Sequence, residues 1–421
     1  MVATIYLSSI ALIGLITFIR PIWGIYISTF LLLCNPSIFF SEGIEEYRPI
    51  VVLWVIVFIS TLLRGYSIEQ SRTKFVLLLF LFIFFSAVSL LLAGKIEIYD
   101  SKFIANYLKA VLVGFIMLGF LTDKKQLIIL FRVSVLGAAG NAIFGVYEQF
   151  FPIPVRLAES PAYYRSAGFE GNANGFSALI VSILPLAYYM FTHEEKKYLR
   201  YFGLITMFLI IIGVFCSISR GGLVVLTFVL GCIFRKNFKK LPIILLIVIF
   251  VGGFVYFAKD LYEKRQTVKT TRSGKVVLDS STSFRIGLVK SSLALWLYNP
   301  IFGVGPGQFV EKGAEDLGVS KRRLSRSIHN AYLHLLVENG LIGFSIFMGI
   351  IMLSLKTVGR MKLKGGFYRD TAACMQICVL SWLFSFMGGT EQGIAFVWVC
   401  LAFPLVLEKI YFLSMEDKKG F

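Results

Sequence analysis

The chain has 421 residues, of which 57% are hydrophobic and 16% charged, and its formal net charge is +18. Its mean hydropathy of +0.78 and its repeated apolar runs of about 20 residues exclude a soluble protein, whose core could not bury them. A β-barrel is excluded because these runs are continuously apolar and do not alternate with polar residues.

The apolar runs predict an all-α fold, a polytopic integral membrane helical bundle of about 12–13 transmembrane helices that forms one membrane domain over residues 1–421. Each such helix satisfies its own backbone polar groups. In chain order, the candidate spans lie at roughly 2–19, 21–34, 50–63, 75–93, 103–121, 127–151, 172–192, 201–216, 222–234, 241–258, 329–355, 371–387 and 392–413.

Clusters of Lys and Arg predict the orientation, because short cytoplasmic loops carry an excess of them. The clusters fall on alternate connections, near residues 64–74, 124–125, 196–200, 235–240 and 356–369. Lys418 and Lys419 place the C-terminus inside as well. Counting back through thirteen spans places Met1 outside. If the first two segments form a single membrane unit, Met1 is inside.

One outward connection, residues 259–328, is large enough to form a periplasmic or extracellular loop subdomain with amphipathic helices. It carries thirteen Lys or Arg and six Asp or Glu, a net charge of +7. Long loops are exempt from the positive-inside rule, so the orientation stands. The charge indicates either a solvated face or an electropositive surface for a polyanionic partner.

The basic charge does not favour nucleic acid, because it is divided between the two sides of the membrane and no compact basic domain carries it. Anionic lipid headgroups account for much of the inside charge. The sequence shows no metal signature: Cys374 and Cys378 lie one turn apart, but further ligands are not nearby. A GxxxxGK[ST] phosphate loop is also absent.

Two arginines lie at the outward ends of predicted spans, where a charge is costly enough to need a reason. Arg165 lies in the loop YYRSAGFEGNANG, in which Asn172 or Asn174 is suited to capping the next span. Arg220 lies in the short turn SISRGG, and its planar guanidinium matches phosphate oxygens. The alternatives are interfacial snorkelling for Arg165 and interfacial anchoring for Arg220.

A third arginine, Arg285, lies in the segment SFRIGLVKSSLALW, which predicts an amphipathic helix on the outer membrane face. Its apolar positions are 284, 288, 295 and 297, and its polar positions are 285, 290, 291 and 292. The helix either presents Arg285 to a ligand or merely covers the bundle. It is expected to end at Asn299-Pro300, before a flexible turn rich in glycine.

His329 follows the basic loop and is predicted in the first turn of the next helix. The positive end of the helix dipole disfavours imidazolium there, which keeps the ring neutral and able to accept a proton. Such a general base contributes about 10²- to 10⁴-fold to a rate. His334 and Glu338 lie one turn apart on the same helix and are expected to pair inside the bundle.

The stretch SIHNAYLHLLVENGLIGF, residues 327–344, resembles the signature of the bacterial O-antigen ligase and O-antigen polymerase family. Three further segments agree with that family in order: YRSAGFEGNANGFS, SISRGG and SFRIGLVKSSLALWLYNPIFGVGPGQF. Together the four motifs cover about residues 163–345.

The resemblance implies a C-type glycosyltransferase of the bacterial inner membrane, with its active site facing the periplasm. It would take a glycan from undecaprenyl pyrophosphate without a nucleotide sugar, a required metal or a cofactor. By resemblance, His329 would take the proton from the acceptor hydroxyl, which attacks the anomeric carbon with inversion. Asn330 would orient that ring or the sugar, and Glu338 would support the site. The donor pyrophosphate would be held by Arg165, Arg220 and Arg285.

Two uses of this chemistry differ in the acceptor. A ligase transfers the glycan to lipid A-core, and a polymerase transfers it to another lipid-linked repeat unit. Ligase is favoured, because the compact SRGG turn and the basic approach to His329 suit a phosphorylated lipid A-core. The alternatives are a polymerase, a protein O-glycan ligase and, from another class, a transporter of lipid-linked glycans, for which inverted repeats would be expected.

Overall fold

The computed structural model describes residues 2–34, 49–63, 70–93, 112–153, 164–235, 269–270, 276–277, 280–310, 312, 330–389 and 395–416. Within these ranges the chain is almost entirely helical. The large loop predicted at 259–328 is therefore described only in part.

Twelve α-helices are bounded within the described residues. They are α1 Val2–Ile19, α2 Pro21–Leu33, α3 Pro49–Leu63, α4 Gln70–Leu92, α5 Lys124–Phe150, α6 Ala173–His193, α7 Lys197–Cys216, α8 Arg220–Phe234, α9 Ser280–Tyr298, α10 Ala331–Lys362, α11 Gly366–Ser385 and α12 Ala395–Glu416. Residues 112–120 are helical as well. A single 3-10 turn, Gly168–Glu170, lies between α5 and α6. A minimal antiparallel pair joins β1 Lys269–Thr270 to β2 Val276–Val277.

The predicted polytopic helical membrane protein is confirmed. Six helices in the described part of the chain are long and apolar enough to cross a membrane, and α2 and α8 are shorter apolar helices. The six are Lys74–Leu92, Lys124–Phe150, Ala173–His193, Lys197–Cys216, Ala331–Lys362 and Phe396–Glu416. The predicted span at 103–121 falls only partly within the described residues, and the span at 241–258 falls outside them.

The most buried spans are α6 and α12; α6 packs against α5, α7, α8 and α11, and α12 packs against α10 and α11, while α4 packs against α10. Where α4, α10 and α12 meet, the buried rings of Phe82, Phe347 and Trp398 lie in contact, with 5.7 Å between the centroids of the last two. Buried aromatic contacts of this kind contribute about 0.5–1.5 kcal/mol each beyond their buried area.

Three hydrogen bonds define which helix ends lie together. The Ser166 N–H, in the loop before α6, donates to Cys216 O at the end of α7 (3.1 Å). The Ala331 N–H at the start of α10 donates to Phe386 O, just after α11 (2.8 Å). At the other end of α6, the Tyr189 hydroxyl lies 3.0 Å from the Thr371 hydroxyl, near the start of α11. The N-terminal ends of α6, α8 and α10 therefore share one end of the bundle, called the site end here.

Helix α10 is broken at Gly340, whose φ of 63° and ψ of −168° are not helical. A side chain at Gly340 would overlap the Ile301 carbonyl group, and one at Gly303 (φ 79°) would overlap the Glu338 carbonyl group. Glycine at these two positions lets the turn after α9 contact the α10 backbone directly. The predicted glycine turn is confirmed, but it is fastened to α10 rather than flexible.

The turn after α9 satisfies the backbone groups that the break in α10 leaves without helical partners. The N–H groups of Val304 and Gly305 donate to the carbonyls of Val337 and Glu338 (2.9 and 3.0 Å). In return, Leu341 N–H donates to Pro300 O at 2.9 Å. Irregular backbone at membrane depth is tolerated only where protein covers it in this way.

The predicted helix around Arg285 is present as α9, but its faces differ from those expected. Leu288 is buried as predicted, whereas Ser292, assigned to the polar face, is fully buried and donates to Leu288 O at 2.6 Å. Leu297, assigned to the apolar face, is exposed. A serine that donates a hydrogen bond to a carbonyl of the preceding turn can be buried at little cost. The apolar pattern of the sequence does not reveal this.

Candidate active site

Arg165 is held by two neutral oxygen atoms at the site end. Its Nε donates to Ser217 O and its Nη2 donates to Asn174 Oδ1, both at 3.1 Å. Ser217 follows α7 and Asn174 lies in the first turn of α6, so the guanidinium joins three segments that are distant in the sequence. Two bonds to fixed acceptors restrict the rotamers of a long side chain and define the direction of its charge.

Asn174 also connects this arginine to the turn before α8. Its Oδ1 accepts the Ser219 hydroxyl proton at 2.9 Å, and Ser219 Oγ in turn accepts the Gly222 N–H as the N-cap of α8. The sequence offered Asn172 or Asn174 as the cap of α6. Asn172 is that cap, accepting the Asn174 N–H at 2.8 Å, which leaves the Asn174 side chain for Arg165.

Arg220 is the first residue of α8, and its side chain is exposed. The polar turn of Ser217 and Ser219 precedes it, so the segments that carry Arg165 and Arg220 lie together as the sequence predicted. The N-terminal ends of α6 and α8 meet at the same place. Each helix N-terminus carries about half a positive charge, so helix dipoles and guanidinium groups combine to attract an anion.

A buried carboxylate, Glu148 of α5, lies beneath the Arg165 loop. Its Oε2 accepts the N–H groups of Ala167 and Gly168 at 2.9 and 2.7 Å, and its Oε1 accepts the Tyr164 hydroxyl proton at 3.2 Å. Nearby, Asn141 Oδ1 accepts the Phe169 N–H at 3.0 Å. The sequence analysis did not single out Glu148. A carboxylate inside the predicted span 127–151 was the available signal.

Glu170 closes the same loop and is half-buried. Removal of its carboxyl from water raises its pKa from 4.5 to about 7. Near neutral pH the group is therefore divided between its acid and its carboxylate forms.

The start of α10 lies at the same end of the bundle. Asn330 is its N-cap and accepts the Leu333 N–H at 3.0 Å, so α10 begins at Ala331. His329 itself lies outside the described residues. Its predicted place in the first turn of this helix therefore stays a prediction. Within the described residues, no group of three or more His, Cys, Asp or Glu side chains could hold a metal ion.

The predicted pair of His334 and Glu338 is present and buried. His334 Nε2 lies 2.8 Å from Glu338 Oε1, and the same oxygen accepts the Gly307 N–H at 2.9 Å. Glu338 therefore fastens the turn after α9 to α10 just before the break at Gly340. It lies two turns inside α10 from Asn330, and its supporting role at the site stays a prediction.

Arg285 lies in the first half of α9, and its side chain falls outside the described part of the structure. α9 packs against α10, and the turn that ends α9 is bonded to α10 on both sides of Gly340. The helix that carries Arg285 is therefore fixed against the helix that begins beside His329. Contact of these two side chains with Arg165 or Arg220 stays a prediction.

Residues 205–348, about a third of the chain, match the model of a protein family described as O-antigen ligase. The matched segment contains most of the predicted site: Arg220, Arg285, His329, Asn330 and Glu338. Arg165 lies upstream of it. The chain matches no curated protein. The match confirms the resemblance found in the sequence motifs: a third of this multi-pass membrane protein is similar to the O-antigen ligase family, whose enzymes are of ligase or polymerase type.

Proposed function

We propose that this protein transfers a glycan from undecaprenyl pyrophosphate to a hydroxyl of lipid A-core at the outer face of the bacterial inner membrane. The observation that carries the proposal is the fixing of Arg165 by Asn174 and Ser217 beside the α8 N-terminus, where Arg220 lies. The match of residues 205–348 to the O-antigen ligase family supports it.

The donor half of the site would be made by the arginines. A pyrophosphate carries several negative charges, and guanidinium groups offer bidentate hydrogen bonds to its oxygens without losing their own charge. The segments that carry Arg165 and Arg220 lie together, and Arg285 of α9 would be the third cation. When the glycosyl bond breaks, negative charge develops on the leaving diphosphate, and preorganised cations stabilise that charge. In this scheme the arginines stabilise the charge of the leaving diphosphate without a metal ion.

The acceptor half would depend on His329. Its neutral imidazole takes the proton of the acceptor hydroxyl as the oxygen attacks the anomeric carbon. The new carbon–oxygen bond forms on the face opposite the leaving group, so the configuration inverts. The bond from carbon to the phosphate oxygen breaks, and undecaprenyl pyrophosphate departs with the electron pair.

Asn330 and Glu338 would support this base in different ways. The cap of α10 uses the amide oxygen of Asn330, so a contact with the His329 ring or the sugar would come from its amide nitrogen. Glu338 joins α10 to the turn after α9 through Gly307. It would hold the helix that carries Arg285 at a fixed position against the helix that follows His329.

The loop 259–328, with its net charge of +7, would approach the phosphorylated acceptor from the periplasm as part of a single membrane domain. The proposed partners are thus the undecaprenyl-pyrophosphate glycan, lipid A-core and the surrounding membrane lipids.

A transfer assay with the purified protein tests this proposal. An undecaprenyl-pyrophosphate glycan is offered with lipid A-core, with a lipid-linked repeat unit or with an acceptor peptide, and each is repeated with His329→Ala. We expect a product on lipid A-core that the variant reduces by about 10²- to 10⁴-fold. A ladder built only on lipid-linked units would identify a polymerase, and product only on peptide would identify a protein O-glycan ligase.

His193 provides the matched control, because it is a histidine near the opposite end of α6. We expect His193→Ala to keep full transfer activity. Full activity of His329→Ala would instead remove the base from the mechanism. Absence of transfer to every acceptor by the wild type would favour the transporter alternative.

A further inference from the structure

The loop of Arg165 is fastened on both sides of the arginine by one buried carboxylate. Glu148 accepts the Tyr164 hydroxyl proton on one side and the Ala167 and Gly168 N–H groups on the other. Glu148 is fully buried, and it reaches this loop from the C-terminal part of α5. A single side chain therefore fastens the loop on both sides of the residue from which the Arg165 side chain projects.

A carboxylate is a costly choice for this purpose, because burying a charge is unfavourable unless strong hydrogen bonds compensate for it. A neutral amide fastens the next part of the same loop: Asn141 accepts the Phe169 N–H at 3.0 Å. Glu148 makes more contacts with the loop: one of its oxygens accepts two N–H groups, at 2.9 and 2.7 Å, and the other accepts the Tyr164 hydroxyl proton. The loop is thus fastened at more points beside Arg165 than at Phe169.

We propose that Glu148 is a positioning residue that orients Arg165 toward the pyrophosphate of the donor. It acts through the loop backbone and does not touch the donor. Arg165 leaves this fixed backbone and meets two fixed acceptors, Asn174 Oδ1 and Ser217 O, so both ends of the side chain are constrained. Preorganisation of this kind reduces the entropy lost when the diphosphate binds. The inference rests on the proposed function, in which Arg165 holds the pyrophosphate.

Two variants separate orientation from folding. Glu148→Ala removes the hydrogen bonds to Tyr164, Ala167 and Gly168, and we expect it to raise the donor KM about tenfold while the acceptor KM stays unchanged. Glu148→Gln can still accept both N–H groups with its amide oxygen, and its NH2 group faces the Tyr164 hydroxyl, which can accept. It should therefore recover most of the donor affinity. This variant also keeps the test valid if the alanine variant folds poorly.

A double-mutant cycle with Arg165→Ala provides the decisive readout. The quantities are the donor KM and the Kd of undecaprenyl pyrophosphate for the wild type, both single variants and the double variant. If Glu148 acts through Arg165, the double variant is no worse than Arg165→Ala alone. If the two effects multiply, or if the acceptor KM rises as much as the donor KM, the proposal for Glu148 is overturned.

The cycle also separates failure of this inference from failure of the proposed function. An unchanged Kd in Arg165→Ala would remove Arg165 from the donor site and overturn both proposals. A weakened Kd in Arg165→Ala, together with an unaffected Glu148→Ala, would overturn only the role of Glu148. Glu408→Ala is the matched control, since it removes another buried carboxylate, bonded to Arg360. We expect it to lower the melting temperature without changing the donor KM.

Discussion

The two ends of the bundle use arginine differently. Away from the site end, two arginines pair with buried carboxylates: Arg132 contacts Glu194 at 2.6 and 2.7 Å, and Arg360 contacts Glu408 at 2.8 and 3.3 Å. Each pair joins two different elements, and each places a guanidinium against both oxygens of a carboxylate. The charge of these arginines is offset by their partner, so they tie the bundle together.

At the site end, the two bonds of Arg165 that fix its direction go to a carbonyl and an amide oxygen. These two acceptors orient the guanidinium. Arg220 begins α8 with an exposed side chain. The comparison teaches that arginines of similar appearance in the sequence can differ in what they contact. Arg132 and Arg360 pair with carboxylates and form one class, and Arg165 and Arg220, which we propose present charge to a ligand, form the other.

The largest expected effect comes from removing a charge that is presented to the ligand. We expect Arg220→Ala to lower kcat/KM for transfer by about 10²- to 10³-fold, because one preorganised donor to the leaving diphosphate is lost. Arg220→Lys should retain part of the activity, since it keeps the charge but loses the bidentate geometry. Steady-state transfer kinetics in detergent or nanodiscs measure both.

Arg132→Ala is the control for that variant, because it removes an arginine of the other class. It should leave kcat/KM within about twofold of the wild type, as distant substitutions usually act independently. If Arg132→Ala and Arg220→Ala reduced activity equally, the division of the arginines into two classes would be wrong.

The sequence predicted the membrane bundle and one buried pair, because both depend on local patterns, while the grouping of His329 and Arg285 with the other arginines stays a prediction. Long apolar runs identify most helices, and spacing of four residues identified the pair of His334 and Glu338. Local patterns could not predict the hydrogen-bond acceptors of Arg165. Asn172 and Asn174 are equivalent helix caps by residue type, and only the approach of α8 decides that Asn174 takes the arginine.

The break in α10 was missed for a related reason. The residues around Gly340 continue an apolar helical pattern, and a single glycine within it is compatible with a straight helix. The break is tolerated because the turn after α9 hydrogen-bonds the backbone groups that lose their helical partners there. For example, the Leu341 N–H donates to Pro300 O. That compensation comes from residues about forty positions earlier in the chain, so a local window cannot contain it.

A second prediction converts one class of arginine into the other. Asn174→Asp keeps an oxygen acceptor for Arg165 but makes it anionic, as at the opposite end of the bundle. We expect it to lower kcat/KM about tenfold or more, because the new carboxylate offsets the charge that the diphosphate should meet. Asn174→Ala, which removes the acceptor, should cost about tenfold or less, since Ser217 O still holds Arg165 Nε. Transfer kinetics at several donor concentrations compare the two variants.

Asn172→Ala controls for damage to the start of α6, because it removes the N-cap and leaves the Arg165 contacts in place. It should cost about 1 kcal/mol of stability with little change in donor KM. Higher activity in Asn174→Asp than in Asn174→Ala would show that orientation alone matters and that the charge of Arg165 does not.

A third prediction concerns the structural class. Arg360→Ala leaves the buried carboxylate of Glu408 without its guanidinium partner. We expect a loss of about 1–2 kcal/mol of stability, between the values for exposed and for buried pairs, with unchanged kcat/KM per folded molecule. Thermal unfolding in detergent and transfer kinetics measure the two quantities. A loss of activity at unchanged stability would place this end of the bundle in the reaction.

The smallest expected effect is a dependence of stability on pH at the site end. Glu170 has its pKa raised from 4.5 to about 7 by burial, so the folded protein binds its proton more tightly than the unfolded chain. Between these pH values the folded state holds more protons, and the free energy of unfolding falls as pH rises through the window. Glu170→Gln stays uncharged and should remove this contribution. The melting temperature of Glu170→Gln minus that of the wild type should therefore become more positive as the pH rises from below 4.5 to above 7.

The pH series for Glu170→Gln also sharpens the contrast between the two ends of the bundle. Glu408, at the other end, forms an ion pair with Arg360, and an uncharged amide in its place would lose that pair. Glu408→Gln should therefore lower the melting temperature at neutral pH, opposite in sign to Glu170→Gln. Equal signs for the two variants above pH 7 would mean that Glu170 has a charged partner in the folded state. Its loop would then resemble the structural end, and the neutral environment inferred for the candidate site would be wrong.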